Sequence, residues 1–453
     1  MSTIAAIATP NAAGGIGIVR LSGDDAVEIA AKCFYPFSGK DVRSMKGYTA
    51  AYGAVRDGET ELDDGVLLVY RAPRSYTGEN VAEICCHGGL YVLQQTLRLV
   101  LKLGAVPAGP GEFTQRAFLN GKMDLSQAEG VMNVISAQGD SALRAARSAL
   151  RGDVSKQVEA IANTLVAAAA ALAAWTDYPD DDIPAVENAA LGDAIKGAAD
   201  RLRGLIRDYD NGKAVTKGVK TAICGKPNVG KSTLMNLLSG CKRSIVTPIS
   251  GTTRDVVEET VRLGDLTLRL MDTAGIRDTD DPVERLGVAL AKEKLEEAEL
   301  VLCVFDGSCP FDEADEAMLE AVKGRRCLAV VNKADLPLVF DVNKIRAAVP
   351  DAVVLSANDP DALSVLQAAA EKLLGVGGLD FNQELLATER QRACCEEALE
   401  ALEDALSALD TGFTVDAVSV DIDCAVDALL TLTGKKASDE IVSEVFRSFC
   451  VGK

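Results

Sequence analysis

The sequence predicts a multi-domain protein of mixed class, in which α/β units and helical units alternate along the chain. Three observations predict this. At 453 residues the chain exceeds one ordinary domain. Strand signals mark the N-terminal part, vanish from about Leu125 to Val215, and return abruptly at "GVKTAICG". From there to about Leu374 short apolar runs alternate with helical stretches, the pattern of a mostly parallel sheet with crossover helices; after "GVGGLD" the chain is helical to its end.

Between Thr3 and Ala105 the β-rich runs "TIAAIAT", "GIGIVRL", "GVLLVY" and "VAEICC" accompany helical stretches near 24–34 and 90–103, a compact α/β unit assigned to 1–119. Three Ala/Leu/Glu/Arg-rich segments form a first helical part, 120–215, the second ending at the breaker "YPDDDIP". An inserted α/β domain follows at 216–375, and a second helical part at 376–453. Helices on both sides of the insert need a partner for their apolar faces, so the simplest packing is one interrupted helical domain; separate bundles are the alternative.

Composition narrows the function. With 47 Lys+Arg against 67 Asp+Glu the formal charge is −20, which argues against capture of nucleic acid by the surface as a whole, although a local basic patch such as Arg144, Arg147 and Arg151 is compatible with it. Those arginines read more readily as a solvated helix face. The single histidine, His87, excludes any mechanism needing two imidazoles. Twelve cysteines with no opening signal peptide are expected to be reduced thiols of a cytoplasmic protein. The run "ANTLVAAAAALAAW" is shorter than a bilayer span and is expected to be a packed helix, so no membrane span is expected.

The chemistry concentrates in the insert. "GKPNVGKS", 225–232, follows the strand "VKTAIC" and precedes a helical run, the context a phosphate-binding P-loop requires. Backbone N–H groups from Asn228 to Thr233, through Val229 and Gly230, are expected to wrap the phosphates. Lys231 is expected to reach the β- and γ-phosphates, and the Ser232 hydroxyl to ligate Mg²⁺. "DTAG" (Asp272, Thr273, Ala274, Gly275) ends the next strand, near the metal and the γ-phosphate. "NKAD" (Asn332, Lys333, Asp335) ends another, and "LSA" supplies Ser356 and Ala357. A carboxylate at Asp335 accepts from guanine N1–H and its 2-amino group; adenine donates at neither position. The set therefore specifies GTP on a Ras-like P-loop GTPase domain, and three motifs in order argue against a metabolic P-loop kinase. Between P-loop and DTAG lies "TPISGTTRD", a switch segment carrying Thr247, Pro248, Ile249, Ser250, Gly251, Thr252 and Thr253; its spacing nominates Thr253 as a second Mg²⁺ ligand. Ile276 stands where a Ras-type enzyme has its water-positioning Gln.

Together with "TIAAIATP", "GGIGIVRLSG", "SYTGEN", "HGG", "PGEFTQRAFLNGKMDLSQAE" and the terminal "FCVGK", these motifs make the chain resemble the MnmE (TrmE) family over nearly its whole length. The resemblance implies a GTPase that modifies C5 of the wobble uridine (position 34) of certain tRNAs, as a homodimer, with the FAD-dependent partner MnmG (GidA) in a heterotetrameric or larger complex. It implies a K⁺ ion in place of an arginine finger, held by Asn228, Thr247, Ile249 and Thr252, and a catalytic Glu284 in "DPVERLG" that orients water through a bridging water. It also implies K⁺-dependent pairing of two GTPase domains. For the first domain it implies a folate-binding, aminomethyltransferase-like fold that takes 5-formyl- or methylene-tetrahydrofolate through Arg20, Glu83, Lys122 and Lys453. Cys450, in the family's C-x-G-K tail, stays open between a catalytic thiol and a small buried side chain. "CCH" at 85–87 is not expected to be a shared metal site, because adjacent strand residues face opposite ways. Pro248 and Asn358 depart from the family pattern. The competing reading is a ribosome-assembly or signalling GTPase without modification chemistry.

Overall fold

The computed structural model describes residues 2–137, 139–177, 188–216, 218–240, 259–264, 266–271, 296–376, 385–411 and 415–453. They form two compact units, Met1–Met132 with Ser155–Ala198 and Ala393–Lys453, and Asn133–Val154 with Ala199–Arg392.

The first unit holds a seven-stranded sheet of β1 (Ile4–Ile7), β2 (Ile16–Ser22), β3 (Phe34–Pro36), β4 (Thr49–Asp57), β5 (Thr60–Tyr70), β6 (Val81–His87) and β7 (Val106–Pro107), in the order β3-β4-β5-β6-β2-β1-β7. Only β7 runs parallel to its neighbour. The period of two along a strand decides what each face carries. Val19 and Leu21 of β2, with Ile84 and Cys86 of β6, enter the core beneath α1 (Ala26–Cys33) and α2 (Leu90–Lys102). Arg20 and Glu83, one residue out of phase and in register with each other, stand on the other face.

Strand β4 is not among the β-rich runs that the sequence signals. Its "TAAYGAVRD" offers little apolar contrast, and it is held by pairing along its whole length with β5. The helices are α3 (Glu112–Leu119), α4 (Leu125–Ser136), α5 (Asp140–Arg151), α6 (Asp153–Asp177) and α7 (Asn188–Thr216). Four of these lie between 125 and 216, where three are expected: Gly152 in the left-handed region (φ 75°) closes α5, and Asp153 at once begins α6.

Helix α6 is also longer than its Ala run suggests. Its stretch Asp153–Trp175, with mean hydropathy 1.6, is long and apolar enough to cross a membrane by length and composition, and 28% of its most apolar window is buried. Val154, Val158, Ile161, Leu165 and Leu172 form the buried stripe of a one-sided core helix.

The second unit holds a six-stranded sheet of β8 (Val219–Cys224), β9 (Glu259–Leu263), β10 (Leu266–Leu270), β11 (Leu300–Asp306), β12 (Cys327–Asn332) and β13 (Ala352–Val354), in the order β13-β12-β11-β8-β10-β9. All neighbours are parallel except β9 with β10. Strands buried on both faces read as continuous apolar runs, as "LVLCVF" does in β11. The helices α8 (Lys231–Gly240), α9 (Glu313–Val322), α10 (Asn343–Ala348) and α11 (Ala362–Leu373) accompany this sheet. The chain closes with α12 (Glu389–Thr411), α13 (Val415–Thr433) and α14 (Asp439–Arg447). In the first unit α14 packs on α4 through Leu125, Ala128, Val442, Phe446 and Phe449, so helices from both sides of the insert share a core.

Candidate functional site

Central strand β8 leads into the P-loop and then into α8, so the loop sits where a parallel sheet reverses direction and where a helix N-terminus offers N–H groups and a positive dipole end. Lys231 Nζ donates to the carbonyls of Gly225 (2.9 Å) and Lys226 (2.6 Å), which keeps its charge at the loop's centre. Ser232 is exposed in the first turn of α8, and Thr233 is half-buried behind it. Asn228 is exposed, with φ 63°.

Asn332 joins three of the motifs. Buried to 3% exposure, its Nδ2 donates to Val229 O of the P-loop (2.9 Å) and its Oδ1 accepts from Ala357 N of the "LSA" loop (2.8 Å). Gly230 has to be glycine for this: φ is 97°, and a Cβ there would lie 2.1 Å from Asn332 Nδ2. Asp335 is exposed and makes no hydrogen bond among the described residues, so its carboxylate is available to a base. Ser356, half-buried, accepts from Asn358 N (3.3 Å).

Two supporting groups escaped the motif analysis. Lys226, inside the P-loop, reaches Asp312 Oδ2 (2.9 Å) and Asp315 Oδ2 (2.7 Å), the two halves of the capping box of α9, and so ties the loop to that helix. Asp306, the last residue of β11, accepts from Lys333 Nζ at 2.6 Å. Burial pushes the Asp306 carboxyl up, but hydrogen bonds from Lys333 and Ser308 outweigh it and hold the group at about 2. A carboxylate ending a strand one position before a Gly-Ser turn was the available signal. Thr247, Pro248, Ile249, Ser250, Gly251, Thr252, Thr253, Asp272, Thr273, Ala274, Gly275 and Glu284 lie outside the described residues.

In the first unit the terminal residues meet the sheet. Arg20 Nε donates to Glu83 Oε1 (2.7 Å), Arg20 Nη1 donates to Gly452 O (3.2 Å), and the guanidinium lies 5.6 Å from the centre of the buried Phe113 ring. The Phe113 N–H donates to the main-chain oxygen of Lys453 (3.2 Å), and Gly111 N donates to Cys450 O (3.3 Å). Gly452 carries φ 96°, and a Cβ there would lie 2.5 Å from Ile7 O. Burial first, then the neighbouring Arg20 charge, lowers the Lys453 ammonium. Burial, then the Glu83 charge, raises the Tyr70 phenol, a site residue the motifs did not nominate. Arg20, Glu83 and Lys453 therefore come together with Cys450 alongside. Lys122 is exposed and donates to Pro73 O (3.2 Å) instead.

Two family profiles match the chain, one described as the MnmE helical domain over residues 125–450 and one as the GTP-binding protein TrmE N-terminus over 3–122. The tRNA modification GTPase MnmE of Thermoanaerobacter pseudethanolicus is 39% identical over 456 residues, covering 100% of this chain and 99% of the relative. The chain belongs to the MnmE family. The same-named protein of Geobacter sulfurreducens is 42% identical over 458 residues, with 100% and 99% covered. Among solved structures, an Aquifex aeolicus Era variant bound to GDP and AlF4− aligns with 40% of this chain and 66% of its own at 29% identity and a TM-score of 0.27; the family assignment rests on the full-length matches.

In this MnmE-family chain the blocks "SYTGEN" and "PGEFTQRAFLNGK" are a structural network. Arg116, 5% exposed, donates to Glu79 (3.2 Å), Glu112 (2.9 Å) and Ser2 O (2.8 Å). Ser22 Oγ lies 2.7 Å from Thr77 Oγ1 and donates to Glu79 (2.6 Å), while Asn120 donates to Thr77 O (2.7 Å). A buried guanidinium with three partners is stable only while all are present. His87 does not join Cys85 and Cys86: its Nδ1 and N–H both engage Asp63 at 2.8 Å, and Asp64 accepts from Tyr52. The hydrogen bond to Asp63, and then the Asp63 charge, raises the pKa of the exposed imidazole.

Proposed function

We propose that this MnmE-family chain is a GTP hydrolase acting in tRNA modification. Asn332, which draws the P-loop, the NKAD turn and the "LSA" loop onto one side chain while Asp335 stays free to read guanine, carries the nucleotide half, and the full-length likeness to tRNA modification GTPases supports the rest. The chain's own groups place the nucleotide. The Lys231 Nζ, held at the Gly225 and Lys226 carbonyls, and the loop N–H groups at the start of α8 would take the phosphates, and a carboxylate that only a base with two adjacent donors can satisfy would set specificity.

The finer proposal is that turnover is potassium-activated and coupled to GTPase-domain pairing in a homodimer. The amide oxygen of Asn228, exposed and without a protein partner among the described residues, fits a neutral-oxygen ligand for K⁺, with Thr247, Ile249 and Thr252 completing the set. Ser232 and Thr253 would hold Mg²⁺, and Glu284 would orient the water. When bound, the cations supply positive charge where negative charge develops on the phosphates. GTP turnover is expected to fall roughly 10²-fold or more when KCl is replaced by NaCl, and Asn228→Ala is expected to show that same low rate in both salts. Equal rates in both salts overturn the potassium role.

We further propose that the Arg20–Glu83–Lys453 cluster takes a tetrahydrofolate one-carbon donor, with Lys122 as an outlying contact, and that with the FAD-dependent MnmG the chain modifies C5 of the wobble uridine in the cytoplasm. A carboxylate suits pterin N–H donors, and cations suit a glutamate tail. Nucleoside analysis of tRNA from a strain lacking the gene tests this. Loss of the modified wobble uridine supports it, and an unchanged profile favours a GTPase switch without modification chemistry.

A further inference from the structure

We propose that Asp306 is a positioning residue for guanine recognition, holding the Lys333 side chain in place beside the base-reading Asp335. This rests on the site's being a GTP site and names how its base half is pre-arranged.

Asp306 ends β11 in register with Asn332 on β12, and Gly307 N donates to Asn332 O (2.9 Å), so the two strand ends are locked together. The Asp306 carboxylate is 10% exposed, and its two oxygens have separate tasks. Oδ1 accepts from the backbone N–H (2.9 Å) and hydroxyl (2.6 Å) of Ser308, which fixes the rotamer. Oδ2 is thereby aimed at Lys333 Nζ, 2.6 Å away.

Lys333 needs such a hold. It leaves the strand end at φ 62°, in the left-handed region, where a residue with a Cβ is strained. Its flexible stem carries about 2 kcal/mol of rotamer entropy when unrestrained. Lys333 follows the Asn332 tie and precedes Asp335 by two residues, and Leu336 N donates back to Lys333 O (3.0 Å) to close the turn between them. With its ammonium pinned to Asp306, the apolar stem forms a fixed wall next to the carboxylate that reads the base. Released, the stem samples many rotamers and a purine loses that wall on binding.

The test uses the full chain with mant-GDP, mant-GTP and unlabelled ITP as probes. Asp306→Asn keeps the shape and removes the charge. It is expected to weaken GDP and GTP by the same factor, about tenfold, which is the low end for a hydrogen bond to a charged group. The loss appears in KM rather than kcat, because the pair acts on the base and not on the phosphates. The preference for GTP over ITP narrows, and Asp306→Glu regains part of the affinity. Lys333→Met is expected to match Asp306→Asn, and the double variant to add nothing to either. Unchanged affinity in Asp306→Asn, additive losses in the double variant, or a loss matched by a fall in melting temperature overturns the assignment. Failure of the wild-type chain to bind mant-GDP instead overturns the GTP reading itself.

Discussion

At the P-loop, short contiguous motifs deliver main-chain groups to one buried amide; at the N-terminal sheet, side chains from opposite ends of the chain converge on one guanidinium. The first site gains its precision from loops stapled to strand ends, with Asn332 bonded to Val229 and Ala357. The second gains it from a cross-strand ion pair, Arg20 with Glu83, closed by the backbone of Gly452. The difference concerns what each tolerates. A stapled loop is sensitive to any change at the staple, whereas an ion pair beside a docked tail is sensitive to charge and to the tail's backbone.

Asn332→Ala sharpens that contrast most. It leaves the buried Val229 carbonyl and Ala357 N–H unpaired, so guanine-nucleotide affinity is expected to fall about 30-fold, or about 2 kcal/mol, in isothermal titration. An unchanged affinity would mean that the three loops hold their places without the staple.

Gly452→Val is the matching change at the other site. A branched Cβ at φ 96° meets Ile7 O and adds roughly 1–3 kcal/mol of backbone strain, so the tail is expected to lift from the sheet. Binding of 5-formyltetrahydrofolate is then expected to fall about tenfold, read by the same titration. Full affinity without the tail in place would reduce the second site to Arg20 and Glu83 alone.

The smallest effect is with pH. Lys453 has its folded value below the 10.5 of a free lysine, through burial and then Arg20. Between those two values the undocked tail binds more protons than the docked one, so docking strengthens as pH rises through that window and gains nothing below it. Melting temperatures across the window are expected to climb slightly more for the wild type than for Lys453→Met. Parallel curves would show that the ammonium is fully hydrated.

The two sites also differ in how far the sequence discloses them. Gly225 to Ser232, and Asn332 to Asp335, are runs of adjacent residues whose spacing is fixed by one loop, so the chemistry is readable from letters in order. Asp306, Asp312 and Asp315 support the same site from separate elements. No spacing rule links them to it, because the sheet order and not the chain order brings them there. The Arg20–Gly452 bond spans 432 positions and no motif announces it; the resemblance names Arg20 and Lys453 only as folate contacts. Strand β4 failed for another reason: alanines and Gly53 carry no apolar alternation, and its pairing partner supplies the order. Arg116, a cation inside a family block, has three partners that make it architecture.

Asn228 and Lys333 are residues with a Cβ held at φ 63° and 62°, one at each end of the nucleotide site. Glycine would relax both, lysine the more, by roughly 1 kcal/mol. An engineer selecting heat-resistant variants of this chain without assaying turnover would therefore drift towards glycine at these two places. The survivors would be sturdier proteins and, on the functions proposed above, poorer enzymes, because glycine supplies neither the Asn228 amide nor the Lys333 stem that Asp306 holds.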